Sequence, residues 1–402
     1  MFSLKQIIPK FVGTIFLSCL AATPAFAELT PTEINSIARN TTVLIAPKLT
    51  KELLDDLENN RNNPLASEKN SEGVWHPGSG VIIAKEGKKY YVLSVTHNFK
   101  QRDLDENLSY GIRTSDGEVH EVKKVNDRRG CPLRGSLSLG TLIRLGCYSI
   151  SVPNRVAGPD LAVVVFESEE NYQVASLGDS DAVNVGDRVY ISGWPDPEKE
   201  RNPVTGRCQG RVERRQRRLA WGPVAGKINL DLASNGYSIF YVDVTRPGMS
   251  GGPVFDVNGR VVGIHGQGSR DKGEMVAQYC SVSKAPQTYE SEDFNIPESP
   301  AERNDPTFLH SQFSSGQNLN FFLGAIASNR INLAFNREAP RGFEDANTPV
   351  ESGSRVGTMD LFADEDAGAY EDPADVVENV YEAFQFGLQQ QLRNRPNGVL
   401  VD

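Results

Sequence analysis

The 402-residue chain has only five histidines and five cysteines, and neither type falls at a metal-binding spacing. No C-x-x-C or H-x-x-x-H pair is present, so a zinc site is not expected. Positive charge is not in excess either: 42 Lys and Arg stand against 52 Asp and Glu, a formal net charge of −10. That balance argues against a nucleic-acid partner. The apolar run from Phe11 to Ala22 falls short of the roughly 20 residues that a membrane-spanning helix needs. Internal repeats of solenoid length are lacking, and the acidic cluster Asp364-Glu365-Asp366 does not fit an EF-hand loop.

What the N-terminus does contain is Lys5 and Lys10, then the apolar run, then Ala25-Phe26-Ala27 ahead of Glu28. This layout predicts a secretory signal peptide over residues 1–27, an exported protein of the periplasm or extracellular space, and no membrane anchor. Loss of Cys19 with that segment leaves Cys131, Cys147, Cys208 and Cys280. An even number in an exported chain predicts two disulfides. Three pairings are open; Cys131 with Cys147 and Cys208 with Cys280 is favoured, because the first pair closes a local loop.

Three motifs bear nucleophilic chemistry. Gly248-Met249-Ser250-Gly251-Gly252-Pro253-Val254-Phe255 sets a serine in a turn of small residues. A serine hydroxyl is a weak nucleophile and needs a base, itself oriented by a carboxylate. Val92-Leu93-Ser94-Val95-Thr96-His97 reads as a buried strand ending on a histidine, and Asp160-Leu161-Ala162-Val163-Val164-Val165-Phe166 as an aspartate entering another strand. The order His97, Asp160, Ser250 differs from that of subtilisin-type and α/β-hydrolase enzymes.

On these motifs the chain resembles the secreted bacterial members of the chymotrypsin-like (trypsin-like) serine endopeptidases, over roughly residues 36–336. The resemblance implies an all-β fold of two perpendicular six-stranded β-barrels, split near 170–185 within a protease domain of residues 28–336, with a short C-terminal helix. It also implies a triad of His97, Asp160 and Ser250, an oxyanion hole made by the backbone N–H groups of Gly248 and Ser250, and no cofactor. Protein or peptide substrates follow. Activity should fall as pH drops through the range in which an unperturbed histidine protonates, about 6.5.

Strand patterns fit this frame. Asn40 to Ile45 reads as the first strand, 50–73 as a polar insertion, and Gly78–Ile83 with Tyr90–Leu93 as a hairpin turning at Lys85-Glu86-Gly87-Lys88. The stretch with Cys131 and Cys147 reads as a stapled loop. Val189 to Pro195 opens the second barrel; further strands are expected around Gly210–Leu219, Ala225–Leu232 and Tyr237–Val244. The basic run Arg214-Arg215-Gln216-Arg217-Arg218 reads as a solvated loop or hairpin edge, with a processing site as the sharper alternative.

Specificity is read by offset from the nucleophile. Preference for Arg or Lys requires a carboxylate six residues before it, where this chain has Val244. Met249 stands where animal digestive enzymes carry an aspartate that pairs with a freed amine during activation, so that switch is not expected. The strand Val261 to Gly268, which includes Gly266 and Gly268, resembles the family's strand that floors the specificity pocket and pairs with substrate, and Thr245 and His265 stand at offsets similar to those of the pocket of glutamyl endopeptidases. There a threonine and a histidine donate hydrogen bonds to an acidic side chain. The bland alternative makes His265 a satisfied core residue.

Beyond the resemblance, residues 337–372 read as an acidic linker. Residues 373–402 read as an amphipathic helix, with Val377, Val380, Tyr381, Phe384, Leu388 and Leu392 on one face for the protease body or a partner. A competing reading of the whole is a protease-fold binding protein with vestigial catalysis.

Overall fold

Alternate residues of one central strand, Lys89–Ser94, enter two different cores, which explains why its sequence reads as an unbroken apolar run. Tyr91 and Leu93 join a cluster shared by both halves of the molecule, and Tyr90 and Val92 a cluster confined to the first half. The computed structural model describes residues 28–59, 77–122, 141–148, 156–195, 200–201, 208–209, 217–229, 234–242, 245, 247–268, 297–328, 333–340 and 357–360.

The first half is built from β1 (Thr42–Pro47), β2 (Gly78–Glu86), β3 (Lys89–Ser94), β4 (Tyr110–Arg113), β5 (Val119–Val122) and β6 (Leu142–Arg144). A separate ladder joins β7 (Cys147–Tyr148) to β8 (Val156–Ala157), and β9 (Ala162–Glu167) returns to the main sheet. The order of that seven-stranded sheet is β5-β4-β1-β2-β3-β9-β6. The second half takes β10 (Arg188–Gly193), the short pair β11 (Glu200–Arg201) and β12 (Cys208–Gln209), then β13 (Arg218–Lys227), β14 (Tyr237–Tyr241), β15 (Pro253–Phe255), β16 (Val261–Gln267) and β17 (Ser314–Asn318). Its order is β10-β15-β16-β17-β14-β13, and a ladder between β13 and β10 closes six strands into a barrel. This is the chymotrypsin-like double-barrel architecture. The first sheet departs from the expected closed barrel: among the described residues β5 and β6 are its edges, and it is a half-barrel.

Among the described residues five α-helices punctuate the strands: α1 (Pro31–Thr41), α2 (Lys51–Asn59), α3 (Gln101–Asp105), α4 (Pro306–Gln312) and α5 (Leu319–Ser328). The first was not expected, and it shortens the first strand, which starts at Thr42 rather than Asn40. Its cause is local. Thr30 caps it, Pro31 occupies its first position, and Glu33 reaches back to the Thr30 amide at 2.7 Å to complete a capping box. Ile34, Ile37 and Ala38 are buried in the cluster shared by the two halves. Each isoleucine contributes about 1.5–3 kcal/mol relative to exposure. The interval read as an insertion likewise begins with a helix, α2.

Other expectations are corrected in detail. Of the strands predicted around Gly210–Leu219 and Ala225–Leu232, the described parts belong to one strand, β13, which passes at Pro223 from pairing with β10 to pairing with β14; residues 210–216 and 230–232 lie outside the described residues. Arg217 is not solvated: it is buried and donates to Ser192 Oγ at 3.1 Å and Asn35 Oδ1 at 2.6 Å. Within the stretch read as an acidic linker, a strand β18 (Gly357–Asp360) pairs antiparallel with Arg218–Trp221. The signal segment, Cys131, Val244, Cys280 and the helix predicted at 373–402 lie outside the described residues, as do the side chains of Cys147 and Cys208.

Candidate active site

The hairpin of β2 and β3 ends at Ser94, and a single 3-10 turn, Thr96–Asn98, then carries His97. The strand thus stops three residues short of the histidine. Thr96 Oγ1 donates to the Leu161 carbonyl at 2.8 Å, which ties this turn to the chain entering β9, where Asp160 lies. Asp160 is buried and receives His97 twice: the backbone N–H on Oδ1 at 3.0 Å and ring Nδ1 on Oδ2 at 2.7 Å. The His97 side chain itself is about a third exposed. Tyr237 Oη, which sequence reasoning missed, donates to the same Oδ2 at 2.6 Å.

Burial works against a charged Asp160, but attraction to His97 and hydrogen bonds from His97 and Tyr237 outweigh it and hold the carboxyl below its ordinary range. Tyr237 is driven the other way, by burial first and then by the adjacent carboxylate, so its phenol stays protonated and donates.

Ser250 lies in the turn between β14 and β15, and its carbonyl is gripped from the first half of the molecule. Ser79 N–H donates to it at 2.7 Å and Asn98 Nδ2 at 2.8 Å. The residue next to His97 therefore holds the backbone of Ser250. Ser79 also accepts the Trp194 N–H at 2.8 Å and donates from Oγ to the Gly248 carbonyl at 2.9 Å, which pins the start of the loop. On the other side, Gly251 N–H donates to the His265 carbonyl at 2.7 Å, and His265 N–H to the Gly252 carbonyl at 2.9 Å. The Ser250 hydroxyl donates to the Gly266 carbonyl at 3.2 Å. Met249 is fully buried in the barrel interior with Val183, Ile191, Ile239, Tyr241 and Val254.

Two of the predicted pocket residues, Thr245 and His265, are linked through neighbours in the second barrel. Thr245 Oγ1 lies 3.3 Å from Ser314 Oγ; Ser314 pairs with Tyr241, and Tyr241 Oη lies 2.7 Å from His265 Nδ1. His265 is 2% exposed. Gly266 lies within β16, and Gly268 follows its last residue, Gln267. No group of three or more His, Cys, Asp or Glu able to hold a metal occurs among the described residues. Nor, among them, is any helix long and apolar enough to cross a membrane.

Tyr237 and Asn98 escaped the sequence because their contacts cross 77 and 152 residues. The strand containing Tyr237 was legible; the phenol's partner was not.

Residues 78–264 match the family profile of the trypsin-like peptidase domain. The chain is 27% identical over 188 residues to the serine protease Do-like HtrA of Bacillus subtilis (strain 168), a match covering 47% of this chain and 32% of that protein. It is 29% identical over 106 residues to the serine protease Do-like HtrB of the same organism, covering 26% of this chain and 21% of that one. The chain thus spans a third or less of the length of these curated relatives. Solved structures of the HtrA-type protease AlgW, in a serine-to-alanine form, align with TM-scores of 0.35. The one with a tripeptide is 15% identical, covering 74% of this chain and 62% of that one. The one with a decapeptide is 17% identical, covering 74% and 67%. The domain profile and the curated relatives support a chymotrypsin-like serine protease.

Proposed function

We propose that this chain is a serine endopeptidase that cleaves peptide bonds through an acyl-enzyme, with His97 as general base and acid, Asp160 as its orienting carboxylate and Ser250 as nucleophile. The observation that carries the reading is the doubly bonded His97–Asp160 pair, standing beside a serine whose own carbonyl is held by Asn98. Asp160 on Nδ1 leaves Nε2 as the nitrogen that takes the Ser250 proton during attack and returns it to the leaving amine. The oxyanion is received by the backbone N–H groups of Gly248 and Ser250. Loss of one such donor costs about 3 kcal/mol of transition-state stabilisation. Labelling by a fluorophosphonate, abolished in Ser250→Ala, is the test; a wild-type protein that takes no label and cleaves no peptide would favour a binding protein with vestigial catalysis.

At the specificity site, the line of Thr245, Ser314, Tyr241 and His265 offers hydroxyl and imidazole groups and supports an acidic P1 side chain. A peptide library varied at P1 tests it. Cleavage after Glu or Asp supports the assignment, and cleavage confined to other residues retires it while leaving the triad in place.

The layout of the chain completes the reading: a signal peptide over 1–27, a protease body over 28–336, and a linker and helix over 337–402 that dock a partner or the body. Export to the periplasm or exterior and two disulfides among Cys131, Cys147, Cys208 and Cys280 go with it. N-terminal sequencing and non-reducing mass analysis of the secreted protein test these points.

A further inference from the structure

We propose that Tyr237 is a positioning residue for the triad, a cross-barrel clamp that holds the Asp160 carboxylate in register with His97 and moderates the pull of that carboxylate on the imidazole. This rests on the assignment of His97, Asp160 and Ser250 made above. Asp160 stands at the entry to β9 in the first half, and Tyr237 opens β14 in the second-half barrel, so the 2.6 Å bond between them spans the two halves. Oδ2 of Asp160 then carries two donors, the phenol and His97 Nδ1, while Oδ1 carries the His97 N–H. A carboxylate held at both oxygens cannot rotate away from the ring.

The tyrosine is delivered by a turn that grips Asp160 a second time. Asn235 and Gly236, both in the left-handed region at φ 66° and 85°, precede it. The Asn235 carbonyl accepts the Asp160 N–H at 3.0 Å and Gln317 Nε2 at 2.6 Å. One short turn therefore fixes the backbone of Asp160 through its carbonyl and the carboxylate through the next side chain but one.

Room for the phenol comes from Gly266. A Cβ there would lie 2.2 Å from Tyr237 Oη and 2.6 and 2.8 Å from two ring carbons, so any side chain would displace the ring from Asp160. The same residue accepts the Ser250 hydroxyl on its carbonyl. Tyr237 and Gly266 thus form a matched pair. A bulky residue supplies the donor, and an empty position beside the nucleophile admits it.

A donor on Oδ2 also draws off negative charge that would otherwise stabilise the imidazolium. Removing only the hydroxyl, in Tyr237→Phe, should lower kcat roughly tenfold with KM little changed, in the range of a lost charge-assisted hydrogen bond. It should also move the acid limb of kcat/KM to higher pH. The midpoint of the His97 ring resonances in an NMR pH titration of the full chain should rise in parallel. That titration reads the clamp without turnover, so a protein that fails to cleave peptides defeats the proposed function and leaves this inference standing or falling on its own. Superposable titrations for wild type and Tyr237→Phe would overturn it, since a merely space-filling ring would leave the midpoint unmoved. As a second arm, Tyr237→Ala should be compared with Tyr237→Ala/Gly266→Ser, which returns a hydroxyl from the position where the phenol oxygen stood. A wild-type-like midpoint in the double variant supports the clamp; identical midpoints in the two variants reject it.

Discussion

Asn98 holds the carbonyl oxygen of Ser250 at 2.8 Å, so the residue beside the histidine grips the backbone of the serine. The same amide donates to Ser94 Oγ at 3.0 Å. Asn98→Ala leaves that carbonyl with the Ser79 N–H alone of these two donors, a loss of about 0.5–1.5 kcal/mol. Urea denaturation should show the lower stability, and steady-state kinetics a fall in kcat larger than the change in KM.

Met249 predicts how the loop responds to charge. Its side chain fills the barrel interior beside Ile191, Tyr241 and Val254. Met249→Leu, which conserves volume, should cost less than about 1.5 kcal/mol. Met249→Asp buries a carboxylate among apolar groups and should cost several kcal/mol. Thermal melts of the two variants check the order. Acetylation of the mature N-terminal amine should leave activity unchanged, since methionine cannot make an ion pair with it.

Gly251 has no tolerance for a side chain. Its φ is 90°, and a Cβ would stand 2.0 Å from the carbonyl oxygen of Ser79, a backbone atom that cannot step aside. Gly251→Ala should fold with a displaced Ser250 loop and lose labelling by a fluorophosphonate; retention of wild-type labelling rates would contradict the geometry.

The depressed Asp160 carboxyl makes a statement about acid stability. A carboxyl whose folded value lies below its unfolded one contributes stability in full above the ordinary value of 3.8, and that contribution is lost as pH falls through the folded value. Asp160→Asn cannot titrate. Its stability should be lower than wild type at neutral pH, and the gap should narrow below pH 3.8, as read by denaturant titrations at stepped pH.

Much of this was legible in the sequence, and the reason is physical. β2, β3 and β9 announce themselves because both their faces are buried, and the histidine follows one such segment while the aspartate precedes another. α1 was missed although Thr30-Pro31 and Glu33 spell a capping box, because the β-branched run after it drew the strand reading backwards into Asn40 and Thr41. The gap left between the strands expected around Gly210–Leu219 and Ala225–Leu232 is where β13 changes partners. Arg217 looked solvated because its neighbours are charged; its partners, Ser192 and Asn35, lie far away in sequence. Contacts of that kind leave no local pattern, and Tyr237 is another instance.

The packing of α1 has a consequence for how the molecule is made. Ile34 and Ile37 emerge from synthesis early, yet the cluster they enter includes Phe255, Val261 and Phe322, and the Ile37 side chain lies against Gly259. None of those partners exists until most of the body has been translated. The helix must wait, exposed on its apolar side, for chain that is still unmade, and the closure of long loops sets the pace of its docking. A chaperone that shields this one face during the wait would guard apolar surface whose native cover is translated last.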